Sequence, residues 1–165
     1  EACKFVDEVY GVKIPAQADI TIASCGGYPK DINVYQMQKT MDNAVLATKQ
    51  GGVVILLADC EEGSGSKVLE ETCRTLKTAD AIEAKLRDRF LIGANKAYAI
   101  TRLTKKAHFI LVTGLDRQLA KDMLFDGAVD TVEEALELAK QYVGDDVHYI
   151  LMPTGSLTVP LYRPE

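Results

Sequence analysis

Tryptophan is missing from this 165-residue chain, and aromatic residues make up only 7% of it. Histidine occurs twice, as His108 and His148. No apolar run approaches the roughly 18 residues that read as a membrane span, and no signal-peptide pattern opens the chain. Basic residues are not in excess: 19 Lys and Arg against 24 Asp and Glu leave a formal net charge of -5. That balance disfavours nucleic acid as a partner, because phosphate binding needs a basic face. The one basic cluster, Arg102, Lys105 and Lys106, reads as a solvated helix end. None of the four cysteines (Cys3, Cys25, Cys60, Cys73) forms a CxxC pair. In a chain too long to need disulfides they read as reduced thiols, which points to the cytoplasm. Repeats, linkers and low-complexity segments are absent too, so residues 1–165 read as one domain. A domain of this size buries roughly 70% of its unfolded surface, enough for a core without staples. The chain opens at Glu1 without a Met, already in a helical pattern, which reads as a fragment, a processed piece or a chain with leading residues missing.

What is there is an alternation of two periodicities. Residues 1–10 carry apolar side chains at helical spacing, and Gly11 ends them. Residues 18–24 (ADITIAS), 53–58 (VVILLA), 108–113 (HFILVT) and 148–152 (HYILM) are short, apolar and rich in β-branched residues, as buried parallel strands are. Between them lie helical patterns at 33–49, 67–76, 78–89, 94–106, 116–124 and 131–143. Ser66 is placed to cap the second, and Thr78 or Asp80 the third. Thr131 with Glu134 makes a capping box for the last. Residues 153–155 read as a turn and 157–161 as an extended end piece. Strand–helix alternation predicts an α/β fold: a layered, Rossmann-like domain with a mostly parallel sheet flanked by helices.

In such sheets ligands bind beyond the carboxyl ends of the strands. The richest candidate follows the first strand, where Gly26 and Gly27 turn the chain past Asp31 into the 33–49 helix. A helix N-terminus offers free N–H groups and a positive dipole end, so Gly26, Gly27 and Asp31 frame a possible anion-binding turn. On that helix Val34, Met37, Met41, Ala44, Val45 and Thr48 share one arc, and Tyr35, Gln36 and Lys39 share another. Two readings stand side by side. Lys39 supplies a cation, Gln36 an amide and Tyr35 a hydroxyl, which together suit a carboxylate. Alternatively Asn33 caps the helix, Gln36 folds back as its capping-box partner, and Tyr35 and Lys39 are a solvated face.

Elsewhere the chemistry is thin. The loop DCEEGSG (59–65) is Gly-rich, but its three acids repel phosphate and its spacing fits neither GxGxxG nor a P-loop. Cys25 and Cys60 both sit at strand ends; inert buried thiols suit them better than a soft-metal site. His108 and His148 have no carboxylate or second His at ligand spacing and read as structural. No Ser-His-Asp order is defensible.

The run GGYPKDINVYQMQK (26–39), followed by KQGGVVILLADCEEGSG (49–65), resembles the C-terminal domain of the nickel-dependent lactate racemase family. The matching features are the GG-x-P-x-D start, the Tyr-Gln-x-x-Lys helix, the GG-strand and Cys-x-Glu-Gly-x-Gly. The segment MPTGSLTVP (152–160) is similar to the family's ending. The resemblance implies part of an isomerase that inverts a 2-hydroxy acid, by hydride transfer to and from a nickel pincer nucleotide. It implies that Lys39 and Gln36 act in catalysis and that Tyr35, Gln36 and Lys39 bind substrate. It further implies that the cofactor is held by a separate N-terminal domain, the partner of this one, which nothing here matches. No metal ligand, no resident cofactor and no activity are then expected of this chain alone. The other reading is a non-catalytic module that binds a small anion or a nucleotide at the 26–31 turn.

Overall fold

The computed structural model describes the backbone of residues 2–163 and side chains from residue 5 to residue 163, so Cys3's thiol lies outside the described residues. Helix α1 (Ala2–Tyr10) leads into a short strand β1 (Gly11–Lys13) and then β2 (Ala18–Ser24). Next come α2 (Val34–Ala47), β3 (Thr48–Leu57), α3 (Lys67–Leu76), α4 (Ala79–Asp88) and α5 (Ala94–Thr104). The chain continues through β4 (His108–Val112), α6 (Arg117–Asp122), β5 (Gly127–Val129), α7 (Val132–Val143) and β6 (Tyr149–Met152). A 3₁₀ turn (Gly155–Leu157) and β7 (Val159–Leu161) close it. Five strands form one all-parallel sheet in the order β5-β4-β3-β2-β6. β1 and β7 form a separate parallel pair.

Alternating side chains divide the sheet into two faces. Ala23, Val54, Leu56, Phe109 and Leu111 meet Met37 and Met41 of α2, Leu69 of α3 and Ile100 of α5 in the main core. Ile20, Val53, Ile55 and Ile110 meet Ala135 and Ala139 of α7 on the other face. The layered α/β fold with a parallel sheet is the one the strand–helix alternation implies.

Three differences are instructive. The helical pattern at 33–49 stops two residues early: Thr48 and Lys49 already belong to β3, which also contains Gly51 and Gly52. The pairing jumps from Ala18 opposite Thr48 to Ile20 opposite Val53, so residues 49–52 bulge out of the ladder. Gly51 takes a positive φ of 77° there, which glycine adopts without a Cβ penalty. The helix stops because Thr48 turns extended (φ -105°, ψ 135°), its hydroxyl donating to the Ala44 carbonyl at 2.9 Å. Strands β1 and β5 were outside the sequence expectation. At three residues each, they are too short to show a period of two. The basic cluster is more engaged than a solvated helix end. Lys106 Nζ donates to the Val45 carbonyl at 2.8 Å, and Lys105 pairs with Asp80 at 3.0 Å.

Candidate functional site

Strand β2 lies between β3 and β6, and its carboxyl end opens where α2, the 59–66 loop and the 153–157 turn converge. The chain leaves Ser24 through Gly26 and Gly27, both at positive φ. Lys30 N–H closes the turn on the Gly27 carbonyl at 2.9 Å. Asn33 then caps α2, its Oδ1 accepting from Gln36 N–H at 3.0 Å.

The first turn of α2 is not open to a ligand. Val34 N–H donates to the Gly63 carbonyl and Tyr35 N–H to the Ser64 carbonyl, each at 3.1 Å. The following two amides donate to Asn33. These bonds correct the picture of a helix N-terminus with free N–H groups behind Gly26, Gly27 and Asp31. The loop that follows β3 has taken those donors. Asp31, half-buried, gives its carbonyl to Cys60 N–H at 2.8 Å. The nucleotide or anion module loses the feature on which it rested.

Further along α2, the three expected side chains part company. Lys39 is exposed and its Nζ donates to Gln36 Oε1 at 2.6 Å. Gln36 therefore does not fold back as a capping-box partner, although Asn33 is the cap. Both line a cleft of about 180 Å³ with Lys30, Ser156 and Leu157. Tyr35 does not share this cleft. Its ring is half-buried and packs on the main core, so it is not wholly outside that core. Lys96 of α5 lies over it, with Nζ 4.9 Å from the ring centroid.

Lys96 belongs to a second cleft, of about 430 Å³, which it lines with Lys39, Gln38, Asp42, Asn43 and Ser156. Val6, Tyr10, Leu157 and Val159 supply its apolar wall. Gln38 is 2% exposed; its Oε1 accepts from Lys96 Nζ at 2.6 Å and its amide donates to Asp42. Burial, and then the charge of Lys39, hold the Lys96 ammonium below the usual lysine range. The turn behind the clefts is pinned twice: Asn43 Nδ2 donates to the Gly155 carbonyl at 2.8 Å, and Ser156 Oγ to the Cys25 carbonyl at 2.9 Å.

Lys96, Gln38, Lys30 and Ser156 were not legible as site residues. Gln38 carried the one local signal, an amide one step round the helix from Met37 and Met41. Lys96 comes from α5, 58 positions beyond Gln38, and no spacing rule brings it here. Cys25 and Cys60 are buried, and burial pushes their thiols to about 11 and about 12. That is the environment of inert thiols. Among the described residues no group of three or more His, Cys, Asp or Glu is arranged to hold a metal ion. His108 sits at the amino end of β4, remote from the clefts, with Nδ1 3.0 Å from Asp126 Oδ1 and its ring stacked on Tyr142. The backbone N–H of His148 donates to Asp19, at the same end of the sheet. Among the described residues, no helix is long and apolar enough to cross a membrane.

Comparison with known proteins meets this geometry. Residues 13–159 match the family model for the lactate racemase C-terminal domain. The lactate racemase of Thermoanaerobacterium thermosaccharolyticum is 33% identical over 160 residues, 94% of this chain and 37% of that protein. The lactate racemase of Lactiplantibacillus plantarum is 31% identical over 159 residues, 93% of this chain and 37% of that protein. The solved apoprotein of the first superposes with a TM-score of 0.88 at 32% identity, over 97% of this chain and 39% of that one. A Thermotoga maritima protein shares the fold at 13% identity, with a TM-score of 0.63, over 96% of this chain and 40% of that one. The chain thus spans little more than a third of the relatives it matches. With a family model covering nearly all of β1 through β7, this chain belongs to the lactate racemase C-terminal domain family.

Proposed function

We propose that this chain is the substrate-facing domain of a lactate racemase-like isomerase, and that Lys39 and Gln36 grip the carboxylate of a 2-hydroxy acid. The observation that carries the reading is the Lys39–Gln36 pair at 2.6 Å in a member of this family, with Gln36 lining the smaller cleft and Lys39 lining both. Among the described residues no carboxylate pairs with Lys39, so its charge is available to an anion. Gln36 accepts from Lys39 through Oε1, which leaves its amide N–H₂ to donate to the same carboxylate or to the α-hydroxyl. A cation and an amide fixed side by side orient the α-carbon and bring a charge-assisted hydrogen bond into a cleft with an apolar wall. Tyr35 enters this reading as a support behind Lys96.

The family's cofactor, a nickel pincer nucleotide, would accept and return the α-hydrogen as hydride when bound. In the family resemblance that cofactor sits on a separate N-terminal domain. The reading therefore gives the cofactor to an N-terminal domain, and to this chain only binding and orientation. Alone, this chain is then expected to bind but not to turn over. Its buried thiols fit a reducing compartment, hence the cytoplasm.

The test is to assay the full-length protein, loaded with cofactor, for interconversion of the enantiomers of a panel of 2-hydroxy acids by chiral chromatography. Racemisation or epimerisation of at least one acid is expected. A loaded protein that inverts none of them contradicts the reading.

A further inference from the structure

We propose that Lys96 is a second, specificity-determining cation of the substrate cleft, selecting 2-hydroxy acids that carry a second anionic group. This inference rests on the reading that Lys39 takes the α-carboxylate. Lys39 and Lys96 line the same cleft of about 430 Å³, one from α2 and one from α5. Neither ammonium is paired with a carboxylate among the described residues.

The way Lys96 is held favours a ligand role over a purely structural one. Its acceptor is the neutral Oε1 of Gln38 at 2.6 Å, and Gln38 is almost fully buried. The nearby carboxylate, Asp42, is turned to the Gln38 amide and to Arg102 at 3.9 Å. A buried amide thus stands between Lys96 and the anion that would neutralise it. The Tyr35 ring, 4.9 Å away, supports the cation from one side without cancelling its charge. An ammonium has three donors, and Gln38 uses one. The remaining donors and the charge lie at a cleft that Lys39 also lines. A molecule with carboxylates at both ends of a short chain would satisfy both lysines. Lactate, with a methyl group there, would leave Lys96 without an anionic partner.

The experiment is a titration of this 165-residue chain, followed by ¹H–¹⁵N NMR at fixed ionic strength, with lactate and with 2-hydroxysuccinate. The wild-type chain is expected to bind 2-hydroxysuccinate about tenfold more tightly than lactate, the scale of one charge-assisted hydrogen bond. Lys96→Met should bring 2-hydroxysuccinate down to the lactate level and leave lactate unchanged. Lys96→Arg, which keeps the charge, should retain the preference. Lys39→Met should weaken both acids. Spectral dispersion reports whether each variant is folded, and the wild-type and Lys96→Arg titrations decide the matter if Lys96→Met is not. Equal affinity of the two acids for the wild-type chain overturns the proposal and leaves the Lys39 reading standing. So does an equal loss of both acids in Lys96→Met, which would mark a structural role. Loss of the preference in a folded Lys96→Arg also overturns it. No binding of either acid, or no effect of Lys39→Met, overturns the Lys39 reading together with it.

Discussion

Lys39 Nζ reaches back one helical turn to Gln36 Oε1, and that contact does two things at once. It fixes a long, flexible side chain, and it leaves the ammonium with donors facing the cleft. Gln36 should therefore affect binding through Lys39 as well as directly. Gln36→Leu, which removes the acceptor but keeps the bulk, is expected to weaken carboxylate binding several-fold. Gln36→Glu should weaken it more, by placing a negative charge beside the ligand. Both are read by the same NMR titration. The sequence carried Lys39 and Gln36 because spacing alone puts residues three apart on one face. It did not carry the depth at which Tyr35 sits. That is set by α5 packing over the ring, a contact made by residues some sixty positions away. Lys96 stayed hidden for the same reason.

Helix α2 begins where two separate loops agree. Asn33 caps it from its own side chain, while the 59–66 loop returns to take the Val34 and Tyr35 amides. The loop fits closely: a Cβ on Gly65, which already sits at φ +70°, would overlap the Asn33 side chain. Asn33→Ala is expected to cost about 1 kcal/mol, as the loss of a cap does. Gly65→Ala should cost more, about 1–3 kcal/mol, because it adds backbone strain to the displaced cap. Chemical denaturation at equal m-value measures both, and a Gly65→Ala protein as stable as wild type would contradict this account of the loop. Where cap chemistry is local it was legible: Ser66, Thr78 and the Thr131–Glu134 capping box all lie where the sequence puts them. The bulge at residues 49–52 was not, since Gly-Gly after a helical run signals a stop equally well whether it ends the helix or interrupts the next strand.

Across the whole fold, one core face is thick with helices and holds three buried thiols. Burial raises Cys25 to about 11, and Cys60 and Cys73 to about 12, from 9.0. The native protein should leave all three unmodified by iodoacetamide at pH 8, and denaturant should expose them; intact-mass spectrometry counts the adducts. The same shifts carry a sign for stability. Between pH 9 and about 11 the unfolded chain sheds these protons while the folded chain keeps them. Their contribution is therefore full below pH 9 and falls as the pH rises. Unfolding midpoints taken from pH 8 to 10.5 should decline. The fold class was open to sequence reading because parallel strands buried on both faces are apolar throughout. The layer thickness was not, because it depends on which helices stack on which face.

The central claim is that this domain contributes Lys39 to hold the carboxylate of a 2-hydroxy acid while another domain does the redox chemistry. Its most direct measurement is kcat/KM for inversion by the loaded full-length enzyme, wild type against Lys39→Met, with cofactor content and folding matched. Losing a charge-assisted hydrogen bond of about 1.5–3 kcal/mol predicts a fall of about 10- to 100-fold. A Lys39→Met enzyme with wild-type kcat/KM would contradict the account.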